Sequence, residues 1–269
     1  MPVETKLHYT LRLAVAMCFI GHGAFGIVTK PIWCNYFAVF GIGHDWSYRL
    51  MPILGTVDVL LGITMLVWPM RAILIWLVIW GIVTAALRPL SGEPFAEFIE
   101  RAGNFGAPLA LLAMVGVGAS LREWTARISP NVQTDDATLR RVTGCLRIVT
   151  SLLLLGHGWL NLIEKPSLLE QYASLGFSNP VAVAHAVGAF EVVLAAAVLI
   201  RPLRYFVLAV CLWKVGTELF YPHYLLLEWV ERGGSYGTLL SLWFVLGATR
   251  PLRRGLTLSV PRIGWKPSG

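Results

Sequence analysis

The sequence is poor in charge. Only 14% of its 269 residues are Asp, Glu, Lys or Arg, against about 25% in an average soluble domain. Hydrophobic residues make up 56% and the mean hydropathy is +0.66, and many apolar runs approach the roughly 20 residues that cross a bilayer as a helix. The composition excludes an ordinary soluble domain and predicts an integral membrane protein with the lipid bilayer as its first partner.

Sequence features of several enzyme classes are also missing. The four cysteines form no Cys-x-x-Cys pair, which argues against a thiol–disulfide enzyme built on this chain alone. There is no Walker loop and no His-Glu-x-x-His sequence. The net charge of +7 indicates membrane orientation, because the basic residues gather on one set of loops. No nucleic-acid partner is expected.

The apolar runs predict an all-α integral membrane protein with eight transmembrane helices. The expected spans are 11–30, 50–68, 71–88, 103–121, 145–164, 181–200, 203–221 and 235–249. When the loops are assigned alternately to the two faces, one face receives fifteen Lys and Arg residues and the other six. This asymmetry predicts a bacterial-type inner membrane protein with both termini in the cytoplasm.

The two halves of the chain resemble each other. A shift of 135 residues matches Gly-His-Gly 21–23 with 156–158, and a shift of 133 matches Asp58 with Glu191 and Thr84 with Thr217. A shift of 131 matches EFIERAGNFG 97–106 with EWVERGGSYG 228–237. We therefore predict two tandem, parallel four-helix bundles related by a pseudo-two-fold axis along the membrane normal. The expected segments are a first unit 1–121, a cytoplasmic linker 122–144, a second unit 145–250 and a basic cytoplasmic tail 251–269.

Ionisable residues inside predicted membrane helices are costly and therefore informative. His22 lies about 12 Å from the outer end of the first helix at 1.5 Å per residue, and Asp58 is expected at a similar depth in the second. His157 and Glu191 repeat this arrangement. An imidazole beside a carboxylate lets each group satisfy the other in a low dielectric. Two interpretations stay open: a structural tie between helices, or a functional polar site. The glycines that flank each histidine serve either close helix packing or a flat ligand.

A second polar pattern, Glu-x-x-Glu-Arg-x-Gly, occurs at 97–103 and 228–234. We expect its acids at the outer surface, in the first turns of helices four and eight, because negative charge there favours the helix dipole. The arginines can pair with a carboxylate or reach an anionic headgroup, a substrate or a quinone oxygen. With Thr84 and Thr217 they are expected to form a polar rim.

The halves differ where Lys214 and Glu218 replace Gly81 and Ala85. One interpretation is an i,i+4 ion pair, and the other is an active site that the second half alone carries. The candidate polar site of the second half comprises His157, Glu191, Lys214, Thr217, Glu218, Glu231 and Arg232. Its counterpart in the first half comprises His22, Asp58, Thr84, Glu100 and Arg101. We expect the second to be the working site and His22–Asp58 to be chiefly a helix tie.

These motifs, over about residues 10–120 and again 145–250, together resemble the DoxX-like superfamily of small four-helix membrane proteins (DoxX/DoxD type). The resemblance implies a tandem fusion of two such units. Named relatives are subunits of thiosulfate:quinone oxidoreductase and of other membrane redox assemblies, and more distant ones act as cargo or assembly factors. Family membership implies a membrane redox partnership but transfers no catalytic residue.

Three functional hypotheses follow. The first is a membrane subunit of a quinone-linked oxidoreductase, with other membrane or periplasmic subunits as partners. The second is a non-enzymatic scaffold or assembly subunit of a larger membrane complex. The third is a haem or metal protein that uses His22 and His157. Whether the chain is itself an enzyme stays open, and so does the cofactor, with quinone the first candidate and haem the alternative.

The predicted topology can be tested with reporter fusions. Reporters joined after residues 45 and 170 should read as outside, and a reporter after residue 130 as inside, because loops alternate between the faces. An outside signal at 130 would contradict both the topology and the parallel repeat.

Overall fold

The computed structural model of the chain describes residues 1–219 and 226–248, and in these residues it is all-helical, with no strand beyond one isolated bridge between Met70 and Arg127. The helices of the first half are α1 (Val3–Ile27), α2 (Trp33–Ala38), α3 (His44–Val67), α4 (Arg71–Leu90), α5 (Ala96–Glu100), α6 (Ala102–Val115) and α7 (Leu121–Thr125). Those of the second are α8 (Asp136–Leu162), α9 (Pro166–Ser174), α10 (Pro180–Ile200), α11 (Arg204–Glu218), α12 (Leu226–Glu231) and α13 (Gly233–Ala248).

Within residues 1–219 and 226–248, five helices are long and apolar enough to cross a membrane: α1, α3, α4, α8 and α10. The chain is therefore a polytopic membrane protein. Each of the other three expected spans contains a shorter helix, of 14 residues in α6, 15 in α11 and 16 in α13. The predicted tail 251–269 and the last residues of the seventh and eighth predicted spans lie outside the described residues.

Several predicted boundaries are wrong, and the two helix starts are wrong for the same reason. Helix α1 begins at Val3 and α8 at Asp136, both well before the predicted residues 11 and 145. Hydropathy detects only the apolar part of a helix, whereas a capped helix continues into water. At α8 the Asp135 carboxylate accepts a hydrogen bond of 2.8 Å from the Thr138 backbone N–H. Helix α6 ends at Val115, short of residue 121, and Gly116 after it has φ +74°.

The Glu-Arg motifs occupy helix breaks. Arg101 separates α5 from α6, and Arg232 separates α12 from α13. The acids Glu97 and Glu100 therefore lie in α5 and not in the first turn of the following long helix. Both are buried, so the expectation of a solvated helix start is wrong for the first half. Ion pairs with basic side chains replace the helix dipole as their stabilising partner.

Two sequence patterns known from soluble enzymes also fall inside helices. Gly-x-Gly-x-x-Gly at 21–26 lies within α1, and Gly-x-Ser-x-Gly at 233–237 lies within α13. A dinucleotide fingerprint and a nucleophile elbow each require a strand-to-helix turn. Neither pattern has that setting here, so neither indicates those chemistries.

One hydrophobic core extends through both halves. Helix α1 packs on α3 and also on α13, while α8 packs on α10 and also on α6. The main buried cluster accordingly contains Leu11 and Leu77 of the first half together with Leu154 and Leu242 of the second. The first long helix of each half thus contacts the last long helix of the other, and the halves are joined through a shared interior.

Glycines permit the closest helix crossings. A Cβ atom on Gly158 would lie 2.9 Å from the Gly188 carbonyl oxygen, and one on Gly23 would overlap the carbonyl oxygen of Gly55. The flanking glycines therefore serve close packing, as one of the two interpretations predicts. Gly156 faces the α5 backbone at Glu100 with no room for a side chain.

Replacing Gly156 by Ala should lower the free energy of unfolding by about 1–3 kcal/mol, because the added methyl must displace α5 backbone. Gly144, in the same helix, has no neighbouring atom within 4 Å of the place that an added methyl group would take. Its replacement by Ala should be neutral or stabilise by up to about 1 kcal/mol. Unfolding in mixed micelles measures both, and equal effects would contradict the assigned contact.

Candidate functional site

Each half contains a histidine–carboxylate pair whose carboxylate is buried. His22 Nδ1 lies 2.8 Å from Asp58 Oδ2, and His157 Nδ1 is hydrogen-bonded to Glu191 Oε2. The predicted pairing of the first two long helices in each half is confirmed. The glycine crossings of α1 with α3 and of α8 with α10 bring the side chains together. In each pair the carboxylate favours the tautomer that carries a proton on Nδ1.

The second pair has further polar neighbours that sequence reasoning missed. The Asn161 amide donates to the His157 carbonyl oxygen over 3.0 Å, and the Tyr172 hydroxyl donates to the Asn161 amide oxygen over 2.7 Å. Asn161 is detectable from its i+4 position after His157 on the same helix face. Tyr172 lies on the short helix α9, between two predicted spans, where hydropathy gives no signal. In the first half His22 instead stacks on Trp33, with ring centroids 4.6 Å apart.

Lys214 extends the second pair into a chain of charges. Its Nζ lies 3.6 Å from Glu191 Oε1 and 3.5 Å from Glu218 Oε1, and its side chain is 3% exposed. The predicted i,i+4 pair is confirmed. The contact with Glu191 is an addition to the prediction, because the sequence offers no distance between α10 and α11.

The series of ion pairs continues from the second half into the first. Arg232 contacts Glu218 at 3.0 Å and Glu100 at 2.9 Å. Arg101 contacts Glu100 at 2.8 Å and Glu97 at 2.6 Å. We call this continuous set the charge network. Its members are His157, Glu191, Lys214, Glu218, Arg232, Glu100, Arg101 and Glu97.

Two acids of the network, Glu97 and Glu100 of the short helix α5, are kept ionised by their basic partners. Burial by itself raises the pKa of Glu100, but Arg101 and Arg232 outweigh that effect and hold the pKa well below its ordinary value. Arg101 likewise lowers the pKa of Glu97 against the opposing effect of burial. Both acids are therefore anionic at neutral pH, and the stability they contribute is lost as the pH falls through their folded-state pKa values.

A cavity of about 390 Å³ lies beside the first histidine pair. Its polar wall includes His22, Asp58, Thr84, Arg101 and Glu231. Its apolar wall includes Trp33, Tyr36, Phe37, Phe40, Ile53 and Leu54. Asp58 is 2% exposed whereas Phe40 is 63% exposed, so the cavity extends from buried polar groups to the apolar surface of the protein.

A second cavity of about 390 Å³ lies beside His157. Glu191, Thr217 and Glu218 contribute its polar wall. Its apolar residues are Leu175, Phe177, Val183, Val187, Leu212 and Trp213. The two halves thus carry cavities of similar size in matching places.

Two of the expected site residues lie beside the site of the other half. The sequence places Glu231 in the second-half site, but Glu231 lines the first cavity, since α12 packs against α1. The sequence places Glu100 in the first-half site, but Glu100 contacts Arg232 beside Glu218. The arginine motifs therefore lie between the cavities, where the halves meet, and the threonines line one cavity each.

Among residues 1–219 and 226–248, no group of three or more His, Cys, Asp and Glu side chains is arranged to hold a metal ion. The two histidines of the haem and metal hypothesis each have Nδ1 bonded to a carboxylate. The four cysteines, Cys18, Cys34, Cys145 and Cys211, are free thiols.

Comparison of the chain with protein families, characterised proteins and solved structures gives no match. No function is therefore carried over from a relative. The resemblance to the DoxX-like superfamily stays a prediction, and the geometry of the two cavities and the charge network carries the functional argument.

Mutation can distinguish a structural role of the Lys214–Glu218 ion pair from a functional one. Replacing Glu218 alone with Leu should lower the free energy of unfolding by about 3 kcal/mol or more, because Lys214 and Arg232 each lose a buried partner. The double variant Lys214→Met, Glu218→Leu should lose less, since Arg232 keeps Glu100 and Glu191 keeps His157.

Denaturation in mixed micelles measures both variants. A double variant that loses as much as the two single variants together would contradict the structural pairing. A double variant with native stability but no function would show that the pair has a role beyond structure.

Proposed function

We propose that this protein is a polytopic membrane subunit of a quinone-linked oxidoreductase assembly, built as a tandem fusion of two DoxX-like four-helix units. The observation that carries the proposal is a cavity of about 390 Å³ that extends from the partly buried His22 and the buried Asp58 to exposed apolar side chains. A ligand with a polar ring and an apolar tail matches such a lining. Cavities of roughly 300–1,000 Å³ are typical of small-molecule and cofactor sites.

The residues of the first cavity fit a quinone ring. The Asn104 amide and the Arg101 guanidinium supply hydrogen-bond donors for carbonyl oxygens, while Trp33 and Phe37 supply apolar ring faces. A bound quinone supplies an acceptor for two electrons and two protons. The electrons come from a partner subunit of the assembly.

The His22–Asp58 pair is suited to handling protons in this cavity. Asp58 accepts a hydrogen bond from His22 Nδ1, which fixes the orientation of the ring and leaves Nε2 as the atom that can exchange a proton with a ligand. Asp58 is 2% exposed, and such burial strengthens the interaction of the two groups. His157 and Glu191 provide the same arrangement in the second half.

An eight-span topology with a pseudo-two-fold axis belongs to this proposal. Helix α6 alone is about 21 Å long at 1.5 Å per residue, shorter than the ~30 Å hydrocarbon core. We place α5 at the outer surface, before the break at Arg101, and a span shorter than the hydrocarbon core is accommodated by local thinning of the bilayer. We place the protein in a bacterial-type inner membrane with cytoplasmic termini, on the asymmetry of its basic residues.

A scaffold or assembly role is the second candidate. It is favoured by the charge network, which pairs its members with one another and joins the two halves through Arg232 and Glu100, so that the buried charges have a structural use without any ligand. A haem protein through His22 and His157 is the third hypothesis, and purification of the native assembly separates all three.

Gentle purification of the tagged protein from its native membrane should recover fixed companion subunits and an assembly that reduces added quinone. Replacing His22 with Gln should lower that rate at least tenfold, since removal of a proton-transfer group typically costs 10²–10⁴-fold, while leaving the subunit composition unchanged.

Native mass spectrometry, a quinone reduction assay and a visible absorption spectrum are the measurements. Fixed companions without quinone chemistry would favour the scaffold and contradict the redox proposal. A Soret band lost in His22→Gln and His157→Gln variants would favour the haem protein.

A further inference from the structure

The two large cavities are lined by matching residues. Thirteen residues line the second cavity, and eleven of them match residues that line the first, at the sequence shifts of 135 and 133. The matches include both members of each histidine–carboxylate pair and the threonines Thr84 and Thr217. The likeness between the halves therefore extends to the walls of both cavities.

Each of the two histidines keeps one ring nitrogen without a bond in the described part of the chain. The Nδ1 atoms of His22 and His157 are bonded to Asp58 and Glu191. The Nε2 atoms make no hydrogen bond with the described residues, and neither is fully enclosed by protein atoms. Each imidazole can therefore still bond a polar group that comes from outside the chain.

The two cavities have the same volume although larger side chains stand beside the second. Lys214 and Glu218 replace Gly81 and Ala85, yet each cavity measures about 390 Å³. Protein interiors are close-packed, and an empty volume of this size leaves its lining atoms without contacts. A cavity without a use is expected to be filled by side chains, so the equal volumes favour an occupant in both.

Each cavity has its own opening at the apolar surface. At the first, Phe40 after α2 is 63% exposed and Ile53 of α3 is 59% exposed. At the second, Phe177 after α9 is 49% exposed and Leu212 of α11 is 65% exposed. A ligand can therefore enter either cavity directly from the bilayer and leave an apolar tail in the lipid.

The cavities stay separate where the halves meet. In the described part of the chain they share no lining residue. A third, polar cavity at the two arginine motifs measures only about 30 Å³, which holds about one or two water molecules and is too small for a ring. Two ligand molecules can therefore bind at the same time without contact between them.

We infer that the chain binds two ligand molecules, one in each large cavity, with the ring of each beside a histidine–carboxylate pair. This inference rests on the proposed function and adds the second half as a binding site of the same class. The ligand class is a flat ring with carbonyl-type oxygens and an apolar tail. Both pairs then have a binding role, including His22–Asp58, which the sequence predicts to be chiefly a helix tie.

The test is the number of radiolabelled decylubiquinone molecules that bind per chain at saturation. The full-length protein is measured in nanodiscs, and partition into empty nanodiscs is subtracted. The unmodified protein should bind two molecules per chain. Saturation counts the sites whether or not their affinities are equal, and this count decides the inference even where a variant does not fold.

Tryptophan at two matching positions should block the sites one at a time. Val83 lines the first cavity and Gly216 the second. A Cβ on Gly216 would have no neighbouring atom within 4 Å, so an added indole has room to enter. Val83→Trp and Gly216→Trp should each reduce the count to one molecule, and the double variant should bind none.

Ile82→Trp is the matched control. Ile82 precedes Val83 in α4, is 41% exposed and lines no cavity of the described residues. This variant should still bind two molecules. The thermal unfolding midpoint, measured without ligand, should stay within a few degrees of the unmodified value in every variant, because each added ring lies in a cavity or in lipid.

Three results would overturn the inference. One molecule per chain in the unmodified protein would do so while leaving the proposed function standing. A count of two that persists in either single variant would place binding outside the cavity that the variant fills. Absence of decylubiquinone binding to the unmodified protein would overturn the inference and the proposed function together.

Discussion

The ion pairs of Arg232 with Glu218 and Glu100 link the two halves of this protein. Glu100 belongs to the first half and Glu218 to the second, and each side chain is less than one-tenth exposed. A lone carboxylate in such surroundings costs several kcal/mol, and Arg232 shares the stabilisation of these acids with Arg101 on Glu100 and Lys214 on Glu218. Arg232, at the break between α12 and α13, thereby links Glu100 at the end of α5 to Glu218 at the end of α11.

Close backbone approach is the geometric condition for these ion pairs. At the crossing of α6 and α13 a Cβ on Gly103 would lie 2.7 Å from the Ser235 backbone nitrogen, and one on Gly234 would lie 2.8 Å from the Gly103 carbonyl carbon. These are the glycines of the two Glu-x-x-Glu-Arg-x-Gly motifs. The motif therefore combines a charge pair with the small residue that lets the opposing charge come within reach.

The sequence predicted side-chain contacts correctly where both residues lie on one helix or at equal depth on two adjacent helices. The His22–Asp58 pair follows from equal depth on adjacent helices, and Lys214–Glu218 follows from helical spacing. Contacts between distant elements carry no such signal, and Glu231 reaches the first cavity only because α12 packs against α1.

Hydropathy measures the part of a helix that faces lipid, so it missed the polar start of α8 and the burial of the acids of α5. Those acids are stable because basic side chains from three separate segments surround them, and local sequence reasoning cannot join such segments.

The same network also constrains where a ligand can bind. In the second half Glu191 and Glu218 are each held by a cation, and a ligand there must compete with intramolecular partners for these carboxylates. In the first half Asp58 is held by His22 alone among the described side chains, and Gly81 and Ala85 leave no competing charge at the matching positions. A site that binds a neutral ring needs a largely apolar cavity with a few well-placed polar groups more than it needs charge. By that criterion the chemically simpler half is the better binding site, and the elaborate half contributes the charges that hold the two halves together.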